Sequence, residues 1–126
     1  MTIGDAINKT LEYKEGYEYK YEQLMGWLNT CEKMIWECII KHYQRDDMPE
    51  KPEYNTSTPE TTVLIVPEPF SDLYVHYLCA QMCYWNRETT GYINAKEQYE
   101  ALLNAFQADY MEKYPHICNT YVKGAI

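Results

Sequence analysis

Apolar residues recur three and four positions apart over much of the chain, and this spacing predicts α-helices with one buried face. The clearest pattern runs from about Tyr19 to Tyr43. Its stripe consists of Leu24, Leu28, Cys31, Ile35, Cys38 and His42. A shorter helix is predicted from Ile3 to Leu11, ahead of a break around Gly16. A last amphipathic helix is predicted from Tyr92 to Tyr114, where Pro115 ends it.

Residues 73–85 show a different pattern, because apolar side chains occur on every side of the predicted helix and only His76 and Gln81 interrupt them. A helix of this kind is buried on most faces, so it is predicted to be the central element, covered by its own chain or by neighbouring subunits. Leu78 and Met82 are expected at the centre of the core. Gly91, a few residues later, is suited to a left-handed cap.

Residues 45–62 contain three prolines and a polar cluster, which predicts a loop that is long for a compact domain. The run Val63–Val66 resembles a short strand, but no second convincing strand occurs in the sequence. We therefore expect it to pair with a neighbouring subunit or to remain extended. The predicted fold is all-α: a small bundle of three to four helices with one long loop and a short extended segment before the third helix. Residues 1–115 form the single domain and residues 116–126 a C-terminal tail.

Length, charge and composition exclude several classes of function. A chain of 126 residues corresponds to one domain, and its formal net charge of −8 disfavours nucleic-acid binding as the main task. No apolar run reaches the length of a membrane-spanning helix, and the first residues lack the features of a signal peptide. Fourteen tyrosines suggest wide, partly hydrated contact surfaces. The five cysteines, odd in number, are interpreted as small core residues of a reducing compartment and not as a disulfide framework.

Candidate catalytic chemistry is sparse in this sequence. His76, Cys79 and Cys83 share one face of the predicted central helix, but a structural zinc site needs four ligands, usually in closely spaced pairs. Packing of the two cysteines in the core, beside a half-buried histidine, is the favoured interpretation. There is no glycine-rich phosphate loop, and no nucleophile lies near a histidine in the sequence. No enzyme activity, cofactor or metal is predicted.

Several segments together resemble the head-to-tail connector (adaptor or head-completion) proteins of tailed bacteriophages. The resemblance is carried first by Val66-Pro67-Glu68-Pro69-Phe70, a proline hinge in which Phe70 replaces the usual tyrosine, and by the aromatic helix start at residues 72–78. It covers about residues 18–115, and the tail has no clear match. Further matching segments are Trp27-Leu28 with Ile35 and residues 37–40, Asn86-Arg87-Glu88, and Leu103-Asn104-Ala105-Phe106 with Tyr110.

The resemblance implies a structural protein of the virion neck, assembled in the host cytoplasm. It would form a homo-oligomeric ring, expected to be dodecameric, that binds the portal protein and the downstream stopper or tail-side protein. Genomic DNA would pass through the channel without specific binding, which suits an acidic chain. Two alternatives stay open. One is a different neck component, such as a stopper, which should be β-rich, or a tail-completion protein. The other is a small cytoplasmic helical module that binds and inhibits a partner.

Two groups of residues are predicted to contact partners. Several of the tyrosines outside the helical core stripes are expected at contacts with other subunits or the portal, and the candidates are Tyr17, Tyr19, Tyr21, Tyr54 and Tyr121. The tail is expected to be disordered in the free protein and ordered in the assembly, because it has no helical period. Its apolar anchors would be Val122 and Ile126, with Tyr121 beside them and Lys123 facing carboxylates.

Overall fold

Four α-helices and one turn of 3₁₀ helix make up the computed structural model, which describes residues 1–14, 16 and 18–116. These residues form no β-sheet, only two isolated antiparallel bridges. The predicted all-α bundle is therefore confirmed. The helices are α1 (Ile3–Tyr13), α2 (Tyr21–Cys38), α3 (Leu73–Trp85) and α4 (Thr89–Lys113), and the 3₁₀ turn spans Ile40–His42.

Helix α1 begins with a reciprocal pair of hydrogen bonds. The Thr2 hydroxyl accepts from the Asp5 backbone N–H at 3.1 Å, and the Asp5 carboxylate accepts from the Thr2 backbone N–H at 3.1 Å. Such a capping box satisfies backbone donors that the first helical turn leaves free. The cap fixes the helix so that Ile3 and Ile7 lie buried and α1 packs against α3.

Helix α3 is the centre of the bundle, because α1, α2 and α4 all pack against it. Leu78 and Met82 are fully buried, as predicted. The covering of α3 thus comes mostly from its own chain, which explains the apolar residues on every side. The exception is its last turn, where Tyr84 and Trp85 are exposed.

Helices α3 and α4 form an antiparallel hairpin closed by a tight turn. Arg87 adopts a positive φ of 59°, and the Glu88 N–H donates to the Cys83 carbonyl at 2.9 Å. This is the Schellman arrangement that commonly ends a helix. The prediction that Gly91 supplies the left-handed cap was wrong, because Gly91 lies inside the first turn of α4. Its hydrogen lets the helices approach closely: a Cβ there would lie 2.9 Å from the Cys83 sulfur.

The cysteines follow the prediction in part. Cys31, Cys79 and Cys83 are buried among apolar side chains, whereas Cys38 is exposed. The reason is that α2 ends at Cys38, and the chain then turns so that Ile40 takes the next buried position. The stripe predicted to continue through His42 is therefore interrupted. Cys118 lies outside the described residues.

The extended segment 63–66 has a partner in its own chain, which corrects the expectation that it had none. Val63 forms an antiparallel bridge with Thr2, and the Leu64 N–H donates to the Met1 carbonyl at 3.0 Å. The side chains of Leu64 and Val66 are buried. The partner is the short stretch before α1, which is too brief to show a strand pattern in the sequence.

Residues 44–72, which we call the long loop, contain no helix and include the predicted loop 45–62. The loop lies along α2. The Trp36 indole N–H donates to the Pro49 carbonyl at 2.9 Å, and the Lys33 ammonium pairs with the Glu53 carboxylate at 2.6 Å. Pro52, which lies between these two contacts along the chain, is a buried residue of the loop. The loop is thus attached to the bundle over much of its length.

Candidate interaction surface and buried carboxylate

Glu32 is a fully buried carboxylate in the middle of α2. Its Oε2 accepts hydrogen bonds from the Tyr54 hydroxyl and the Ile65 backbone N–H, both at 2.9 Å. Its Oε1 accepts a hydrogen bond from the Tyr74 hydroxyl. The Tyr74 oxygen in turn accepts from the Val66 N–H at 2.9 Å. One side chain therefore joins α2, α3 and two parts of the long loop.

The charge of Glu32 has no ion-pair partner among the described residues. Burial raises the pKa of its carboxyl group, and the hydrogen bonds from Tyr74, Ile65 and Tyr54 lower it by less. Burial also raises the pKa of both phenols, next to the same carboxylate. Tyr54 and Tyr74 consequently keep their protons and act as donors.

The apolar stripe of α2 predicts that Glu32 lies on the opposite, polar face of the helix, with Gln23, Asn29, Lys33 and Lys41, and for Glu32 this prediction is wrong. The spacing of the sequence nevertheless indicates that Glu32 is buried. Glu32 follows Leu28 by four positions and precedes Ile35 by three, so it lies on the helical face that also carries Met25 and Ile39. A carboxylate on an apolar face indicates a buried polar cluster whenever hydroxyl or N–H donors from elsewhere can reach it.

The residues considered for a metal site do not form one. No group of three or more potential metal ligands comes together in the described part of the chain. Burial lowers the pKa of His76 and raises the pKa of Cys79 to about 11, so the thiol stays protonated. This environment is that of core side chains.

A second feature is a group of aromatic residues around the end of α3, which we call the aromatic end; it consists of Tyr19, Trp27, Tyr84, Trp85 and Tyr92. Trp85 is 62% exposed and Tyr84 58% exposed, and their rings meet edge to face at 5.4 Å between centroids. Tyr84 also contacts Tyr92 at 5.8 Å. Tyr19 and Trp27 form a second edge-to-face pair at 5.2 Å.

A cleft lined by Tyr19, Gln23, Trp27 and Trp85 joins the two aromatic pairs into one surface. The Tyr19 hydroxyl donates to the Asn86 side-chain oxygen at 2.8 Å, which fixes the segment before α2 against the end of α3. Among the residues that the structure describes, none with a carboxylate or ammonium group lines this cleft, although the chain is strongly acidic. Exposed, uncharged and aromatic residues are enriched at protein–protein contacts.

The predicted contact residues fall into two sets. Tyr19, Tyr21 and Tyr54 lie outside the predicted helical stripes but are partly buried and pack against the core, and their contacts with other subunits or the portal stay predictions. Tyr54 also has an internal partner in Glu32, and its contact with another protein stays a prediction. The remaining predicted contacts lie outside the described residues, and these are Tyr17, Tyr121, Val122, Lys123 and Ile126.

The position where the tail begins is defined. His116 forms an antiparallel bridge with Tyr43, and the Gln44 N–H donates to the Pro115 carbonyl at 2.8 Å. Helix α4 has 25 residues and so spans about 37 Å. Because α4 starts at the aromatic end, the tail starts at the opposite end of the bundle.

A scan of protein-family models found no match to this sequence, and searches of curated proteins and of solved structures also found none. No helix of the described residues is long and apolar enough to cross a membrane.

Proposed function

We propose that this protein is a head-to-tail connector of a tailed bacteriophage. In this proposal it forms a homo-oligomeric ring, expected to be dodecameric, between the portal and the downstream neck proteins in the virion. The observation that carries the proposal is the aromatic end, where Tyr84 and Trp85 are left uncovered by the described chain. Exposed aromatic residues in a cluster are favourable anchors for a neighbouring subunit.

The fold favours this proposal over one of the alternatives, a stopper. A stopper would be expected to contain β-sheet, whereas the described residues contain none. The segments that carry the resemblance lie where the resemblance implies, in the hinge before α3 and in the helices. The hinge Val66–Phe70 leads directly into α3, and Leu103–Phe106 lies on α4, where Phe106 is buried. The net charge of −8 suits a channel wall along which DNA slides without sticking.

The extended segment 63–66 gives no support to a ring, because it pairs with the start of the chain and needs no strand from a second subunit. The aromatic end and the sequence resemblance are the two observations that support a ring.

We expect the double variant Tyr84→Ser/Trp85→Ser to lose assembly into the ring. Anchor residues at an interface contribute about 2 kcal/mol or more, so apparent affinity should fall by roughly thirtyfold or more. The measurement is sedimentation and negative-stain imaging of the protein mixed with purified portal. Tyr13→Ser is the matched control, because Tyr13 is 74% exposed on α1 and is not one of the residues that form the aromatic end.

Rings that form normally from the double variant would overturn the assignment of the aromatic end. Wild-type protein that remains monomeric beside the portal would contradict the connector proposal itself. That second result would favour a helical module that binds a different partner.

We also expect the tail to dock on the portal. Deletion of residues 117–126 should leave the fold and melting temperature unchanged and abolish portal binding, since the deletion removes the predicted anchors Val122 and Ile126. The cut is placed after His116 because His116 and Pro115 bond to the body of the protein. Circular dichroism checks the fold, and co-sedimentation with the portal measures binding. Unchanged affinity of the shortened protein would assign docking to the helices.

A further inference from the structure

We propose that Glu32 and Tyr54 form a latch that holds the long loop on α2, and that ionisation of Glu32 favours opening of this latch. The inference does not depend on the proposed connector role. It starts from the position of the carboxylate, which is fully buried in α2 and is contacted from the loop by the Tyr54 hydroxyl and the Ile65 N–H.

The attachment of the loop is centred on this carboxylate. The Tyr54 backbone N–H donates to the Asn29 side-chain oxygen at 2.8 Å, so main chain and hydroxyl of the same residue are both held by α2. Glu53, the preceding residue, pairs with Lys33 at the surface. When the loop around Tyr54 lifts, the cover over Glu32 is removed and water reaches the carboxylate.

The described residues around Glu32 supply no compensating positive charge. The groups that face it are phenols and a thiol: Tyr54 from the loop, Tyr74 from α3 and Cys31 from α2 itself. From α4, Tyr99 contacts Cys31 and not the carboxylate. Lys33, the adjacent cation of α2, is engaged by Glu53. The ionised carboxylate is thus stabilised by hydrogen bonds alone.

Burial penalises the ionised carboxylate more than the neutral acid, because only the ionised form loses a large hydration energy. In the open state that hydration is restored. The free energy of opening is therefore more favourable for the protein with ionised Glu32 than for the protein with protonated Glu32. The three hydrogen bonds reduce this difference, but the two from Tyr54 and Ile65 bind the loop to a group that water would also solvate.

The sign of the pH dependence follows from the same balance. Burial raises the pKa of Glu32 above its ordinary value of 4.5 in the closed protein. Protonation of Glu32 therefore stabilises the closed state relative to the open state. This stabilisation is complete at a pH below the ordinary pKa of the open state, and it is lost as the pH rises through the raised pKa of the closed state. Opening of the loop should accordingly increase from acidic towards neutral pH.

Hydrogen–deuterium exchange of the loop, corrected for the intrinsic exchange rate at each pH, tests the latch. In the wild type, protection of the Tyr54 and Ile65 amides should fall by roughly tenfold or more between about pH 5 and about pH 8. Glu32→Gln keeps the shape of the side chain and one acceptor oxygen, which at the Oε2 position can accept from Tyr54 and Ile65. It cannot ionise, so its protection should not vary with pH. Equal behaviour of wild type and Glu32→Gln, or protection that increases with pH, would overturn the proposal.

A second variant keeps the test decisive if Glu32→Gln folds poorly. Tyr54→Phe removes one hydroxyl and leaves the carboxylate in place. It should lower loop protection at every pH and retain the pH dependence. Full wild-type protection in this variant would show that Tyr54 does not hold the loop, and amides in α3 serve as the internal reference.

Discussion

Leu78→Ala is expected to lower the free energy of unfolding by about 2–5 kcal/mol. Leu78 is fully buried at the middle of α3, where three other helices meet, so its removal loses apolar burial and leaves a cavity. Chemical denaturation with a wild-type m-value measures the loss. Leu11→Ala is the control: Leu11 is 38% exposed on α1, and its truncation should cost far less. A loss below about 0.5 kcal/mol at Leu78 would contradict the central position of α3.

Glu32→Ala is expected to destabilise the protein by about 2–4 kcal/mol at neutral pH, although burial disfavours the ionised form of the carboxyl group that it removes. Alanine leaves the Tyr54 hydroxyl, the Tyr74 hydroxyl and the Ile65 N–H without their acceptor in a buried place. Each unsatisfied buried donor costs about 1–3 kcal/mol, and relaxation or entry of water recovers a part.

Thermal and urea unfolding of Glu32→Ala measure this effect, with Glu22→Ala as the matched control on the exposed face of the same helix. The control should change the free energy of unfolding by about 0.5 kcal/mol or less. A Glu32→Ala protein as stable as the control would mean that the hydrogen-bonded cluster contributes nothing net to stability.

Much of the fold could be predicted from local sequence patterns. The bounds of α3 agree with the prediction, because prolines exclude a helix before Leu73 and a Schellman turn ends it after Trp85. The start of α4 was predicted at Tyr92 and lies at Thr89. The difference arises from Arg87, which takes the left-handed conformation usually given to glycine, so the turn is tighter than the position of Gly91 suggested.

The polar cluster could not be predicted because its partners are far apart in the sequence. Tyr54 and Tyr74 reach Glu32 from 22 and 42 residues away. No local pattern shows that two phenols and a backbone N–H converge on one carboxylate. A charged residue within a helix is ordinarily solvated, and only the packing of the long loop over α2 makes this one an exception.

The aromatic end was missed for a related reason. Tyr84 and Trp85 belong to the apolar run of α3, and an apolar run alone does not tell where the covering elements stop. In the folded protein the segment around Tyr19 covers part of this end and leaves the last turn of α3 exposed.

The two isolated bridges have a consequence for how the chain folds. The α3–α4 hairpin is made of neighbouring residues and closes through a short turn, so its loop-closure entropy is small. By contrast, the bridges between Thr2 and Val63 and between Tyr43 and His116 each join residues that are separated by more than half of the length of the domain. Contacts at such sequence separation form slowly. We therefore expect the α3–α4 hairpin to form the folding nucleus, and the bridges of Thr2 and His116 to form last.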